Sequence, residues 1–241
     1  MKYRGPLALP GQRIGLLGGS FDPPHAGHLH ITDRAFRQIG LDWIWWLVSP
    51  GNPLKKDGPA SIDRRVDACR ALVRHPRVVV TDIERHLPSA FTANTLMHLS
   101  QRYGGVRFVW LMGADNLTVF HRWEGWQWIM ENWPIAVFAR PGEQVRAGLS
   151  PAARQFSERR LAPEQAKALA RRTEARWCLL TGPMSRSSST AIRDRGDWDR
   201  RGSDNHAIDS AGVRRGELKQ SQFDQSAADR GVARAPAICN R

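Results

Sequence analysis

Cysteine is nearly missing from this chain: Cys69, Cys178 and Cys239 are the only three in 241 residues, far apart and without a C-x-x-C pair. That scarcity argues against a disulfide framework or a structural zinc site and points to a reducing cytoplasm. Long apolar runs are missing too. The longest, such as WIWWLV, are strand-sized and too short to cross a bilayer, and the N-terminal MKYRGPLALP contains nothing approaching a signal-peptide core. Acidic residues are in deficit, 23 against 36 Lys and Arg, leaving a net charge of +13. Such a balance calls for an anionic partner: nucleic acid, a membrane surface or a small phosphorylated substrate. Apolar bulk is plentiful, with 41% hydrophobic residues and ten tryptophans, as in a packed globular protein. No internal repeat, Ser-His-Asp arrangement, paired-carboxylate motif or metal-ligand cluster stands out.

Strand-length apolar runs alternate with stretches of helical period, the signature of βαβ units. RIGLL (13–17), DWIWWLV, RVVVTDI, VRFVWLMG, PIAVFAR and RWCLLTG read as strands. AGHLHITDRAFRQIG, SIDRRVDACRALVRH, TANTLMHLSQRYG, PEQAKALARR and SSTAIRDRG read as helices, and the Trp-rich segment between VRFVWLMG and PIAVFAR as helical in pieces. The expected fold is α/β, a doubly wound, Rossmann-like parallel sheet with helices on both faces and ligand loops at the strand ends. The pattern stops near Gly196. From 197 to 241 eight basic and seven acidic residues alternate with Gly, Ser, Asn and Gln without apolar period, which predicts a disordered tail after a domain spanning 1–196. The tail's net +1 leaves +12 on the domain.

The densest motif is GLLGGSFDPPHAGHLH, residues 15–30. Gly18 and Gly19 follow the first strand, where a side chain would keep phosphates from the backbone. His25 and His28 share one face of the first helical turn, and Gly27 keeps the ground between them open. Two imidazoles at a helix N-terminus beside a glycine turn suit a phosphate whose charge grows during reaction. Other candidates lie at strand and helix ends. Asp115 in GAD can accept hydrogen bonds from a ribose or cap the following helix. Ser188, Ser189 and Thr190, with Arg193 one turn on, can hold a diphosphate, although ordinary N-capping explains the serines equally well.

GGSFDPPHAGH resembles the signature of the nucleotidyltransferase superfamily with the His-x-Gly-His motif, and within it the bacterial nicotinate-nucleotide adenylyltransferases. The resemblance runs from about Arg13 to Arg193 through SPGNPLK, FTANTL, LMGADNL with FHRW, and SSTAIR, in order. It implies that ATP and nicotinate mononucleotide react to give deamido-NAD and pyrophosphate by direct in-line displacement. His25 and His28 would act on the α-phosphate, and Gly18, Gly19, Ser20, Phe21, Asp115, Ser188, Ser189, Thr190 and Arg193 would bind ATP. Lys55 would contact a phosphate, with Lys56 only surface, while Thr92 and Trp123 would form the pyridine pocket. Trp126, Trp128 and Trp133 read as packing. A Mg²⁺ would bridge phosphate oxygens with few or no protein ligands. The family often carries Tyr where Phe91 stands and an aliphatic residue where Ser187 stands. The rival readings are a sister adenylyltransferase using the amide nucleotide or phosphopantetheine, the latter opposed by FHRW and SSTAIR, and a basic nucleic-acid-binding protein of similar fold. The last lacks its expected one-sided basic face with exposed aromatics.

Overall fold

A computed structural model of the chain describes residues 5–51, 58–89, 91–171, 174–182 and 187–200. In chain order they form β1 (Arg13–Gly19), α1 (Ala26–Ile39), β2 (Trp43–Val48), α2 (Ile62–Leu72), β3 (Val78–Thr81), α3 (Thr92–Arg102), β4 (Arg107–Gly113), α4 (Ala114–Val119), α5 (Trp126–Asn132), β5 (Ile135–Phe138), α6 (Gln144–Gly148), α7 (Pro151–Gln155), β6 (Arg160–Leu161), β7 (Trp177–Leu180) and α8 (Ser189–Asp194). The seven strands build one sheet in the order β3-β2-β1-β4-β5-β7-β6, and every pairing is parallel.

Both faces of the sheet are covered, which is why the strands read as continuous apolar runs rather than alternating ones. On one face Leu16, Trp45, Leu47, Trp110 and Val137 pack with Leu96, Leu117 and Ile129 of α3, α4 and α5. On the other, Leu17, Trp46, Val109 and Phe138 meet Ile31 and Ala35 of α1, Val66 and Cys69 of α2, and Leu169. Adjacent residues such as Trp45 and Trp46 thus fill opposite layers, and both are fully buried. Truncating either to alanine would cost about 3–5 kcal/mol. Trp133 is buried in the first layer, with Trp126 and Trp128 packed against it, as the packing reading expects.

Several local expectations need adjusting. Gly18 and Gly19 do not follow the first strand; they are its last two residues, in register with Leu47 and Val48 of β2. PEQAKALARR is helical, but as a 3₁₀ helix over Pro163–Ala170. The short helices α6 and α7 and the two-residue edge strand β6 lie in a segment with too little periodicity to announce them. Described structure also continues past the expected domain end at 196, because Trp198 and Arg200 hydrogen-bond to Asp22. Residues 201–241 lie outside the described residues.

Candidate active site

The crossover order around β1 and β4 puts their carboxyl ends side by side, where the connections leave the sheet in opposite directions and a crevice opens. A cleft occupies that place. Its walls are Gly18 and Gly19 at the end of β1, Ser20, Phe21, His25 and His28 of the following turn and helix, Gly113 at the end of β4 with Asp115 and Asn116 beyond it, Arg140 after β5, and Ser188, Ser189 and Thr190 at the start of α8. Most of the residues singled out from sequence therefore meet in one cavity.

The turn feeding α1 is shaped residue by residue. Gly18 has no room for a Cβ, which would run into the Trp110 ring; packing, as well as access to the cleft, requires glycine there. Phe21 adopts φ +48°, the left-handed region, unusual without glycine. Its ring stacks on Trp46 at 5.0 Å and touches His28 at 4.6 Å.

His25 is the N-cap of α1. Its Nδ1 accepts from the Gly27 amide at 3.1 Å, while Nδ1 of His28 accepts from the His25 amide at 3.2 Å. This is a capping box built from two imidazoles instead of the usual hydroxyl and carboxylate. It settles the tautomer: with both Nδ1 atoms accepting, each neutral ring carries its proton on Nε2, the atom left to meet a ligand. The ring centroids are 4.0 Å apart. Burial and the Arg140 charge hold His25 at about 4. Burial, then the neighbouring His25 and Arg140, keep His28 well below the ordinary imidazole range. At neutral pH the pair consists of two uncharged donors. Gly27 is required as well, since a Cβ there would come within 2.8 Å of the His25 ring.

Asp115 lies in the first turn of α4, but the N-cap of that helix is Gly113 and no side chain caps it. The carboxylate instead faces Arg140, Oδ1 to Nε at 3.3 Å, and remains half-exposed for a ligand. At α8, Ser188 caps the helix by accepting from the Ala191 amide at 3.1 Å. Ser189 donates its hydroxyl to the Pro23 carbonyl at 2.8 Å. Arg193 donates to the Asp22 carbonyl and to Thr190 Oγ1; its guanidinium thus braces the β1–α1 turn from behind and is not part of the cleft wall. Lys55 lies outside the described residues. Thr92, the first residue of α3, and Trp123, tilted against Phe120 at 5.1 Å, are half-buried and stand apart from this cavity. Gly125, two residues after Trp123, sits against Ala93, the neighbour of Thr92.

Three functional candidates escaped the sequence reading. Arg140 is the one cation lining the cleft among the described residues; its only signal was a lone arginine before Pro-Gly at a strand end. Arg65 of α2 is 1% exposed and donates to the carbonyls of Ala60 at 2.7 Å, of Ser20 and Ser49 at 2.6 Å each and of Pro50 at 3.4 Å, tying the β1–α1 and β2–α2 connections together. Asp22, not singled out in sequence, is a buried carboxylate. Among the described residues no group of three or more His, Cys, Asp or Glu could hold a metal ion, and no helix is long and apolar enough to cross a membrane.

A neutral-donor pair at a helix start, on the crevice of a parallel sheet, defines a nucleotide-handling site, and comparison with known proteins sharpens it. The cytidylyltransferase-like family matches residues 16–195. A Ruegeria pomeroyi protein named "Probable nicotinate-nucleotide adenylyltransferase" is 54% identical over 198 residues, covering 82% of this chain and 93% of that one. One of the same name from Cereibacter sphaeroides is 56% identical over 185 residues, 77% of this chain and 98% of its own. The Plasmodium falciparum nicotinic acid mononucleotide adenylyltransferase complexed with NaAD shares the fold with a TM-score of 0.59 at 14% identity, covering 76% of this chain and 83% of that one. The chain belongs to the cytidylyltransferase-like nucleotidyltransferases. Within that class it falls among the nicotinate-nucleotide adenylyltransferases.

Proposed function

We propose that the protein transfers the adenylyl group of ATP to nicotinate mononucleotide, giving deamido-NAD and pyrophosphate in NAD biosynthesis. The observation that carries this reading is the pair of neutral imidazoles, each with Nε2–H available in the crevice between β1 and β4. A phosphate oxygen of the mononucleotide attacks the α-phosphorus of ATP, and the bond from that phosphorus to the bridging oxygen of the diphosphate breaks. The attacking phosphate is already ionised, so no general base is needed. Catalysis is positioning and charge stabilisation. His25 and His28 donate to the α-phosphoryl oxygens as negative charge shifts onto them, a task for pre-aimed donors in a half-buried site. Arg140 adds a fixed positive charge, Asp115 receives ribose hydroxyls, and Thr190, held by Arg193, faces the departing diphosphate.

Asp115 is the one carboxylate lining the cleft among the described residues, and it is already paired with Arg140. A Mg²⁺ would therefore be held by phosphate oxygens, where it would neutralise their charge. Thr92, Trp123 and, beyond the described residues, Lys55 would receive the pyridine mononucleotide. Buried free thiols at Cys69 and Cys178 fit a reducing compartment, and we place the protein in the cytoplasm, acting on small nucleotides without nucleic acid.

Pyrophosphate release measured with nicotinate mononucleotide, its amide analogue and phosphopantetheine tests the reading. The acid is expected to win. Its carboxylate suits a domain of net +12, whereas a carboxamide brings its own N–H₂ toward donors and leaves one polar group unpaired. That mismatch costs about 1–3 kcal/mol, roughly tenfold to a hundredfold in kcat/KM. Equal efficiency for acid and amide would make the enzyme dual-specific, and turnover of phosphopantetheine alone would overturn the assignment.

A further inference from the structure

Asp22 sits in the middle of the turn that carries the two histidines, and its carboxylate is buried. Burial pushes such a group upward, yet hydrogen bonds from Trp198, the Ala60 amide and Arg200 outweigh it and leave Asp22 below the ordinary carboxylate range. The donors come from well-separated parts of the chain. Oδ1 accepts from the Trp198 indole at 2.7 Å and from the Ala60 amide at 3.2 Å, and Oδ2 accepts from Arg200 Nε at 2.7 Å. The Trp198 ring is itself fixed, with the Arg64 guanidinium of α2 stacked over it at 4.6 Å. Both Trp198 and Arg200 lie beyond the stretch matched by the family, which ends at 195.

We propose that Trp198 and Arg200 are positioning residues: they latch the Asp22 carboxylate and so hold the Phe21–His25 turn in the geometry that aims the two imidazoles. The inference rests on the adenylyl-transfer reading of the cleft. Its physical basis is the state of that turn. Phe21, immediately before Asp22, is held at φ +48°, and a non-glycine residue stays there only where its surroundings over-determine it. On the other side, His25 caps α1 three residues after Asp22. Arg193 and Ser189 donate to the main-chain carbonyls of Asp22 and Pro23, and the Arg193 guanidinium comes only within 4.0 Å of Asp22 Oδ2, beyond hydrogen-bond reach. Without the latch the carboxylate keeps one hydrogen-bond donor, the Ala60 amide, with the Arg193 charge 4.0 Å away, and a buried carboxylate so thinly hydrogen-bonded draws toward water. The turn would then follow it, carrying His25 off its aim while leaving the sheet and both apolar layers untouched.

The test uses the full chain with Trp198→Phe and Arg200→Ala combined, and a second variant with Arg200→Lys alone. Phenylalanine keeps the ring packing and removes the N–H; lysine keeps one cationic donor within reach of Oδ2. For the double variant, kcat is expected to fall at least about tenfold while KM for both substrates moves less than about threefold, the pattern of misplaced catalytic groups. Amide exchange should rise over residues 20–28 and stay unchanged in β4 and β5. Arg200→Lys should recover most of the turnover. Turnover within about twofold of the parent protein, or faster exchange spread evenly over the domain, would overturn the latch. If the parent protein itself releases no pyrophosphate from ATP and nicotinate mononucleotide, the functional reading fails. The exchange pattern then still decides whether Trp198 and Arg200 hold the turn.

Discussion

Residue scale matters most at His25 and His28, where capping and catalysis use opposite edges of the same rings. Each Nδ1 is occupied by a backbone amide of the α1 start, so a second ring proton would break the cap as well as add charge to a buried site. His28→Ala removes one pre-aimed donor. It is expected to lower kcat about a hundredfold or more with little change in KM for ATP, as for the loss of one oxyanion donor. Nitrogen-15 spectra of the free protein should show His25 neutral with its proton on Nε2 down to about pH 5. An imidazolium signal at pH 6, or a rise in KM with kcat unchanged, would remove the neutral-donor assignment.

At the scale of elements, the cleft is assembled by connections rather than by any single helix. Arg65 reaches from α2 into the space beneath the β1–α1 and β2–α2 connections and serves four carbonyls with one planar group. A lysine has the charge without the fork and cannot serve all four. Arg65→Lys should therefore destabilise the protein by about 2–4 kcal/mol, since buried carbonyls lose donors at about 1–3 kcal/mol each. Chemical denaturation measures this, and a change below about 0.5 kcal/mol, the size of an ordinary surface substitution, would show that the carbonyls find other partners.

For the whole molecule, buried titratable groups pull stability in opposite directions between pH 4.5 and 6.5. Glu84, 6% exposed and bonded to the Thr95 hydroxyl at 3.2 Å, is raised to about 7 by burial, against hydrogen bonds from Thr95 and Ser49. Its folded value lies above the unfolded one of 4.5. The stability it contributes is complete below pH 4.5 and is lost as pH climbs to 7, about 1.4 kcal/mol per pH unit. The histidines act in reverse. Held at about 4 in the fold, His25 favours folding above its ordinary value of 6.5 and loses that contribution as pH falls toward 4, with His28 in the same sense. Glu84→Gln keeps the shape of the protonated acid and removes its titration. Unfolding free energy should then climb more steeply with pH from 5 to 7 than in the parent protein, by about one proton's worth, and exceed the parent value above pH 7 by up to roughly 3 kcal/mol. Parallel pH profiles for the two proteins would mean that Glu84 is ionised in the fold.

The parallel α/β order and the β1–α1 turn with its two histidines are legible in the residues alone, because both are written in near neighbours. Apolar runs of strand length mark buried parallel strands, and a three-residue spacing at a helix start places two rings together whatever lies elsewhere. The same locality explains why Ser188, Ser189 and Thr190 could be assigned to a helix start from sequence. Only tertiary structure decided which charges enter the cleft. Arg193, one turn from Thr190 in sequence, faces away to grip Asp22, while Arg140, in no recognised motif, stands beside Asp115 and the histidines. It also decided that Gly18 serves the Trp110 ring, that Arg65 and Glu84 are buried, and that Trp198 and Arg200 close on a turn more than 170 residues earlier. These depend on contacts between distant segments, and a local pattern of residues carries no record of which carbonyl or carboxylate a long side chain will meet across the fold.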